Sequence, residues 1–257
     1  MDLELAGKTV VVTGAGKGIG MATVLAFLRE GSFVIGGSRR ETDETRALAD
    51  EPRFRFVSVD LSGADGAAAL IEAAGGPIDI VVNNVGSAPA RPGGFLSIDD
   101  DMWQSTFTLN LLAAVRICRA ALPHLRAGSA IVNVTSENSL LPDPLVMDYS
   151  AAKAGLLSFS KALSKELGPA GIRVNSVSPG PVATDLWLGS GGVADTVSRA
   201  SGLDPDAVRA GAAAESVTGR FTTPAEVADL ILILASGKLG NVTGSDFVID
   251  GGLRQTI

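Results

Sequence analysis

Short hydrophobic runs recur along the chain, each followed by a polar or glycine-rich break and a longer stretch whose apolar residues step by three or four. The runs are KTVVVT (8–13), SFVIGGS (32–38), FRFVSVD (54–60), IDIVVNN (78–84), SAIVNVTS (129–136), RVNSVSP (173–179) and DFVID (246–250). Many are apolar throughout rather than alternating, as strands are when helices cover both faces. Helical spacing fills 19–29, 64–74, 101–127, 149–167 and 224–235. This order predicts an α/β, doubly wound Rossmann-type fold: a seven-stranded, mostly parallel sheet with helices on both faces. Within 149–167, Leu156, Phe159, Leu163 and Leu167 form one apolar stripe that Gly168-Pro169 ends. From about 185 to 223 the pattern loosens, although Asp204-Pro205 reads as an N-cap followed by proline at the first helical position. That segment is expected to be a mobile, partly helical substrate flap. No repeat, charge block or linker interrupts the chain, so residues 1–257 are expected to form a single domain.

Composition narrows the functional classes. A hydrophobic fraction of 46%, 31 glycines and 19% charged residues suit a large core joined by tight turns, and argue against disorder. A net charge of −7 leaves no global field for nucleic acid or an anionic membrane, so an anionic ligand needs a local cluster of cations. The opening MDLELAGK lacks an apolar signal core, and apolar stretches such as 230–235 fall short of a membrane span, which predicts a soluble cytoplasmic protein. With one cysteine, Cys118, and one histidine, His124, neither an internal disulfide nor a Cys-rich or multi-His metal site is expected. His124 reads as the last turn of a helix that Gly128 terminates rather than as a hydrolase base, since no G-x-S-x-G elbow accompanies it.

TGAGKGIG (13–20) follows the first strand and opens the first helix, so its backbone N–H groups and the helix N-terminus can face a diphosphate. Its spacing is T-G-x-x-x-G-x-G rather than G-x-G-x-x-G, because Ile19 stands at the third-glycine position. No Gly-Lys-Ser/Thr follows, which disfavours nucleoside triphosphate hydrolysis. At the end of the second strand a carboxylate would accept the ribose hydroxyls of NAD, whereas cations would pair with the 2′-phosphate of NADP. Ser38-Arg39-Arg40 occupies that place, with Lys17 as a second cation from the turn. NADP(H) is therefore expected, with NAD(H) as the alternative; the plain reading is solvated surface charge.

Tyr149 and Lys153 stand at i, i+4, on one helix face with Cβ atoms about 5–6 Å apart. A free tyrosine has a pKa of about 10, and an adjacent cation stabilises its phenolate. Alone, the pair reads equally as an amphipathic core tyrosine with an outward lysine. Just upstream, Val134-Thr135-Ser136 ends a strand at the sheet edge where this architecture binds ligands, and Ser136 can hold a substrate oxygen there. Ser139 is the fallback, and strand-end capping is the plain reading of Ser136.

Taken in order, these motifs resemble the short-chain dehydrogenase/reductase family over essentially the whole chain. TGAGKGIG resembles its cofactor turn, Asp60-Leu61 its adenine-contacting pair, Asn83-Asn84-Val85-Gly86 its NNAG segment with Val85 in place of Ala, and Pro179 to Thr184 its nicotinamide-contacting segment. The resemblance implies Asn110, Ser136, Tyr149 and Lys153 as the catalytic tetrad. The expected cofactor-binding residues are Gly14, Lys17, Gly18, Ile19, Gly20, Arg39, Asp60, Leu61, Asn84, Gly86, Tyr149, Lys153, Val182 and Thr184. It implies carbonyl reduction in which Tyr149 donates a proton, Ser136 orients the carbonyl, Lys153 lowers the Tyr149 pKa and Asn110 holds a water. The leading reading is an NADPH-dependent carbonyl reductase of the 3-oxoacyl-thioester type. The alternatives are an NAD(P)-dependent alcohol, sugar or steroid dehydrogenase and, from another class, a dinucleotide-binding sensor or scaffold, against which the intact tetrad argues. A small carbonyl or alcohol substrate and a homo-tetramer or dimer are implied as partners. Leu140, Leu141, Leu145, Met147, Leu186 and Trp187 suggest a nonpolar pocket wall or, equally, packing.

Overall fold

The computed structural model describes residues 2–255. Seven strands, β1 (Thr9–Thr13), β2 (Phe33–Ser38), β3 (Phe54–Ser58), β4 (Ile80–Asn83), β5 (Ala130–Val134), β6 (Arg173–Pro179) and β7 (Asp246–Ile249), form one sheet in the order β3-β2-β1-β4-β5-β6-β7. Every pairing is parallel. The expected "mostly parallel" sheet is thus wholly so. The chain winds outward from β1 to β3 and restarts beside β1 at β4, which opens a crevice at the carboxyl ends of β1 and β4, where such sheets bind ligands.

The helices are α1 (Gly18–Arg29), α2 (Asp43–Arg46), α3 (Ala64–Glu72), α4 (Asp100–Phe107), α5 (Ala113–Ala121), α6 (Met147–Leu167), α7 (Asp185–Leu188), α8 (Val193–Ser201), α9 (Pro205–Ala214) and α10 (Pro224–Ala235). Side chains alternate across each strand. Val10 and Val12 therefore face α1 and α10, joining Val24, Phe27, Val227 and Ile231, while Val11 faces the opposite layer with Leu70, Ile117 and Leu167. All of these except Leu167 are completely or almost completely buried, which explains strands apolar on both faces. The stripe expected on α6 is present: Leu156 and Leu167 are buried, and Phe159 and Leu163 pack partly buried on the second layer.

The expected helix over 101–127 is broken into pieces. A π-helical turn, Thr108–Leu112, separates α4 from α5, and the 3-10 turn Leu122–His124, with Pro123 inside it, ends the run. His124 thus closes a helical run as expected, and Gly128 follows with φ of 92°. Counted continuously, Asp100–His124 is long and apolar enough to cross a membrane, a stretch that a reading by unbroken apolar runs overlooks; 39% of its apolar window is buried inside the protein. Ala113, Ile117, Cys118 and Ala121 are its core-facing residues.

The 185–223 segment contains α7, α8 and α9. Asp204 caps α9 through the backbone N–H groups of Asp206 and Ala207, with Pro205 at the first helical position, as the sequence implies. Trp187 meets Phe221 edge-on at 5.5 Å and ties the two ends of the segment together.

Candidate active site

The site is built on the β1–α1 turn. Gly14 and Gly18 adopt positive φ, 66° and 56°, which L side chains rarely tolerate. A Cβ on Gly20 would lie 2.0 Å from the Gly14 carbonyl oxygen. Gly20 is therefore required by the closeness of the turn to α1. The Asn84 amide donates to the carbonyls of Thr13 (3.0 Å) and Gly14 (3.3 Å), and the Thr42 hydroxyl donates to the Gly16 carbonyl at 2.7 Å. Their effect is to hold the turn open. The first turn of α1 carries no acidic residue, and Lys17, its N-cap, makes no side-chain capping bond. The free N–H groups and positive dipole end suit a diphosphate.

A cleft of about 1420 Å³ extends from this turn across the carboxyl edge of the sheet to the flap. That volume exceeds the usual 300–1,000 Å³ small-ligand pocket and has room for a dinucleotide with a second molecule. Of the residues expected to contact a cofactor, all but Gly20 line it; Gly20 lies beneath the turn. The two arginines of Ser38-Arg39-Arg40 separate: Arg39 lines the cleft and Arg40 does not. Lys17 lines it too, but its amine pairs with Asp185 of α7 at 3.1 Å, both groups exposed. Asp60 stays exposed beside Arg39, its carboxyl held below the usual range first by the Ser62 N–H that it accepts and also by the Arg39 charge.

At the other end of the cleft, β5 ends at Val134 and Ser136 follows two residues later. Its hydroxyl accepts from the Asn138 N–H at 3.2 Å, so the capping role is real and coexists with a place on the cleft wall. Ser139, the fallback, lines a separate 490 Å³ groove between α6 and β7. Tyr149 and Lys153 lie near the start of α6, both on the cleft. The Lys153 ammonium is buried, donates to the Val134 carbonyl at 2.8 Å, and stands 5.8 Å from the Tyr149 ring centre. Burial pulls its pKa down to about 8.

The Tyr149 phenol departs from expectation. Burial pushes its pKa above the ordinary value, the Ser136 hydroxyl opposes this, and the nearby Glu137 charge adds to it. The Lys153 ammonium lies over the Tyr149 ring, 5.8 Å from its centre, while bonded to the Val134 carbonyl.

Asn110 sits in the π turn, buried, and does not line the cleft. Its Oδ1 accepts from Ser87 N–H at 3.0 Å, and its Nδ2 donates to the carbonyls of Ser87 and Thr106, each at 3.0 Å. With both amide protons committed, its side chain clamps the loop after β4 to the helix and has no donor left for the expected water. Gly86 makes this clamp fit, since a Cβ there would lie 2.7 Å from Asn110 Oδ1.

Several contributors escaped the sequence reading. Asp148, fully buried beside Tyr149, accepts from Arg91 (2.7 and 3.2 Å) and Thr106 (2.8 Å). Burial pushes its pKa up, but these bonds outweigh it and hold the carboxyl below its ordinary range. Glu137, adjacent to Ser136, is buried on the cleft. Its position between Ser136 and Asn138, in a stretch otherwise free of charge, was the available signal. Of the expected pocket wall, Leu141, Leu145, Leu186 and Trp187 line the cleft, Leu140 lines the other groove, and Met147 lines neither. Val85 also lines the cleft, while its N–H bonds to Thr13 Oγ1 at 3.0 Å.

A parallel sheet whose crevice joins a glycine turn at a helix N-terminus to a serine, a tyrosine and a lysine is the site of a dinucleotide-binding oxidoreductase. A family model described as enoyl-(acyl carrier protein) reductase matches residues 14–254. The chain belongs to the short-chain dehydrogenase/reductase family. It is 34% identical to the 3-oxoacyl-[acyl-carrier-protein] reductase FabG of Chlamydia muridarum, over 98% of this chain and 100% of that protein. It is 33% identical to the L-xylulose reductase of Mesocricetus auratus, over 100% of both chains. The crystal structure of L-sorbose reductase from Gluconobacter frateurii, complexed with NADPH and L-sorbose, superposes with a TM-score of 0.91 at 31% identity, covering 100% of both chains.

Proposed function

We propose that the protein is an NADP(H)-dependent carbonyl reductase that transfers hydride between nicotinamide and a ketone or aldehyde carbon, alcohol oxidation being the reverse. The observation that carries this reading is the convergence of Ser136, Tyr149 and Lys153 on the same cleft as the β1–α1 turn and Arg39. Arg39 suits a 2′-phosphate through its charged fork, and the sorbose reductase was solved with NADPH. The Gly14–Lys17 turn and the α1 N-terminus would hold the diphosphate, with Val182 and Thr184 beside the nicotinamide.

Bound NADPH supplies the hydride that makes the new C–H bond and leaves as NADP⁺. Ser136 donates a hydrogen bond to the carbonyl oxygen and orients it. Tyr149 gives its phenolic proton to that oxygen as charge develops on it, forming the O–H bond. Lys153, anchored on the Val134 carbonyl, stabilises the phenolate that remains.

The relatives include a 3-oxoacyl-thioester reductase and sugar reductases at nearly equal identity, so overall likeness does not choose the ketone. The reading extends to a homo-tetramer or dimer, to be tested by light scattering, and to a cytoplasmic location. The deciding experiment follows NADPH oxidation against a panel of ketones. Tyr149→Phe should lower turnover by about 10²- to 10⁴-fold while NADPH still binds; unchanged turnover would remove the mechanism.

A further inference from the structure

Glu137 is the buried titratable group that the proton-transfer mechanism leaves unused. It opens the 3-10 turn Glu137–Ser139 immediately after Ser136, is 8% exposed, and lines the cleft. Its Oε2 has no hydrogen-bond partner among the described residues. A buried carboxyl oxygen without a partner costs free energy that a ligand hydrogen bond recovers.

We infer, on the strength of the reductase reading, that Glu137 selects the substrate by hydrogen-bonding a hydroxyl on the carbon next to the reacting carbonyl, so that the preferred substrates are α-hydroxy ketones and, in reverse, vicinal diols.

Position supports this assignment. Glu137 follows Ser136 directly at the opening of the 3-10 turn, and both line the cleft together with Tyr149. A carbonyl oxygen held by Ser136 and Tyr149 places an α-carbon substituent on the stretch of wall that Glu137 shares with them. Leu141, Leu145, Val146 and Trp187 line the same cleft, so a hydroxyl entering among them gains a polar partner at Glu137.

Protonation decides which substituent fits. Burial first, then the charges of Asp250 and Asp143, push the Glu137 pKa up to about 8, against hydrogen bonds from its own backbone and Ser136. Among the described residues, the charges acting on it are those of Asp250 and Asp143. At neutral pH the group is largely a carboxylic acid, which can donate and accept at once, matching a hydroxyl that does the same. A phosphate or carboxylate at this point would face three acidic residues.

The test uses the protein with NADPH and the matched pair 1-hydroxy-2-hexanone and 2-hexanone. The wild type should favour the hydroxy ketone in kcat/KM by about tenfold or more, the size of one hydrogen bond to a buried acid. Glu137→Leu should bring that ratio close to one, and the nearly isosteric Glu137→Gln should keep most of it. A ratio that Glu137→Leu leaves unchanged overturns the proposal. So does a preference for 1-amino-2-hexanone that both variants abolish, since it would show an ionised carboxylate pairing with an ammonium. If the wild type reduces neither ketone, the reductase reading is judged separately by the wider ketone panel. Glu137 is then judged by calorimetric binding of 1,2-hexanediol against 2-hexanol to the NADP⁺-loaded protein. A tighter diol whose advantage Glu137→Gln keeps and Glu137→Leu loses supports the assignment, and equal affinities in the wild type overturn it. Should Glu137→Leu not fold, Glu137→Met takes its place in both assays.

Discussion

Glu137 and Lys153 show at single residues how burial sets charge, and they bias stability in opposite pH windows. Glu137 has a folded pKa of about 8 against an ordinary 4.5. The folded state thus binds the proton more tightly, and the resulting stability is full below about 4.5 and lost as pH rises through 8. Lys153 has a folded pKa of about 8 against 10.5, so its burial penalty is present below 8 and is relieved as pH rises toward 10.5. Urea unfolding should therefore show a falling limb between pH 4.5 and 8, approaching about 1.4 kcal/mol per pH unit at most for one proton. Glu137→Gln should flatten that limb, and a slope equal to the wild type's would show that this carboxyl does not titrate there. Arg39 supplies a second test. Because Lys17 is paired with Asp185, the proposed 2′-phosphate contact rests on Arg39, and Arg39→Asp should weaken NADPH by about 10- to 100-fold, one or more charge-assisted bonds. NADH should be little affected; equal loss of both cofactors in a fluorescence titration would reject Arg39 as the phosphate contact.

Elements depend on polar locks that hydrophobic spacing does not display. Arg173, at the start of β6 and 7% exposed, donates to the carbonyls of Leu234 (2.7 Å), Ala235 (3.2 Å) and Ser236 (2.8 Å), closing the carboxyl end of α10. Arg173→Leu leaves those acceptors unpaired and should cost about 2–4 kcal/mol in denaturant unfolding; a change below about 0.5 kcal/mol would mean that water replaces the guanidinium. Strand order and the bounds of β6 and α10 were legible because their apolar residues report burial directly. The break in 101–127 was not, since a π turn changes hydrogen-bond spacing while leaving the apolar stripe almost continuous. Helix α2 was also missed: four residues held by a Thr42–Thr45 capping box carry too little periodicity to register. The same division holds at the site. That Ser136, Tyr149, Lys153 and the glycine turn share one cleft was legible because their placement follows from spacing along the chain and from where the strands end. The Arg91–Asp148–Thr106 lock and the Asn110 clamp join segments far apart in sequence, and only the folded arrangement shows what those side chains bind.

Across the molecule, the cofactor cleft is walled by the sheet edge on one side and by the 185–223 segment on the other, with Lys17–Asp185 and Trp187–Phe221 as contacts of that segment. We infer that sheet and segment unfold as one cooperative unit and that cofactor binding stabilises both. A ligand that binds only the folded state adds about 2.7 kcal/mol at 100 times its Kd. For a chain of this size that corresponds to a rise in Tm of roughly 5–10 °C. Saturating NADPH should therefore shift a single calorimetric transition upward by about that amount, and NADH at the same concentration should shift it less, because it lacks the 2′-phosphate that Arg39 is proposed to meet. Arg39→Asp should erase the difference between the two cofactors without splitting the transition. Two transitions, with only the lower one moved by NADPH, would instead show that the 185–223 segment folds on its own and that the cleft closes by docking rather than by cooperative folding.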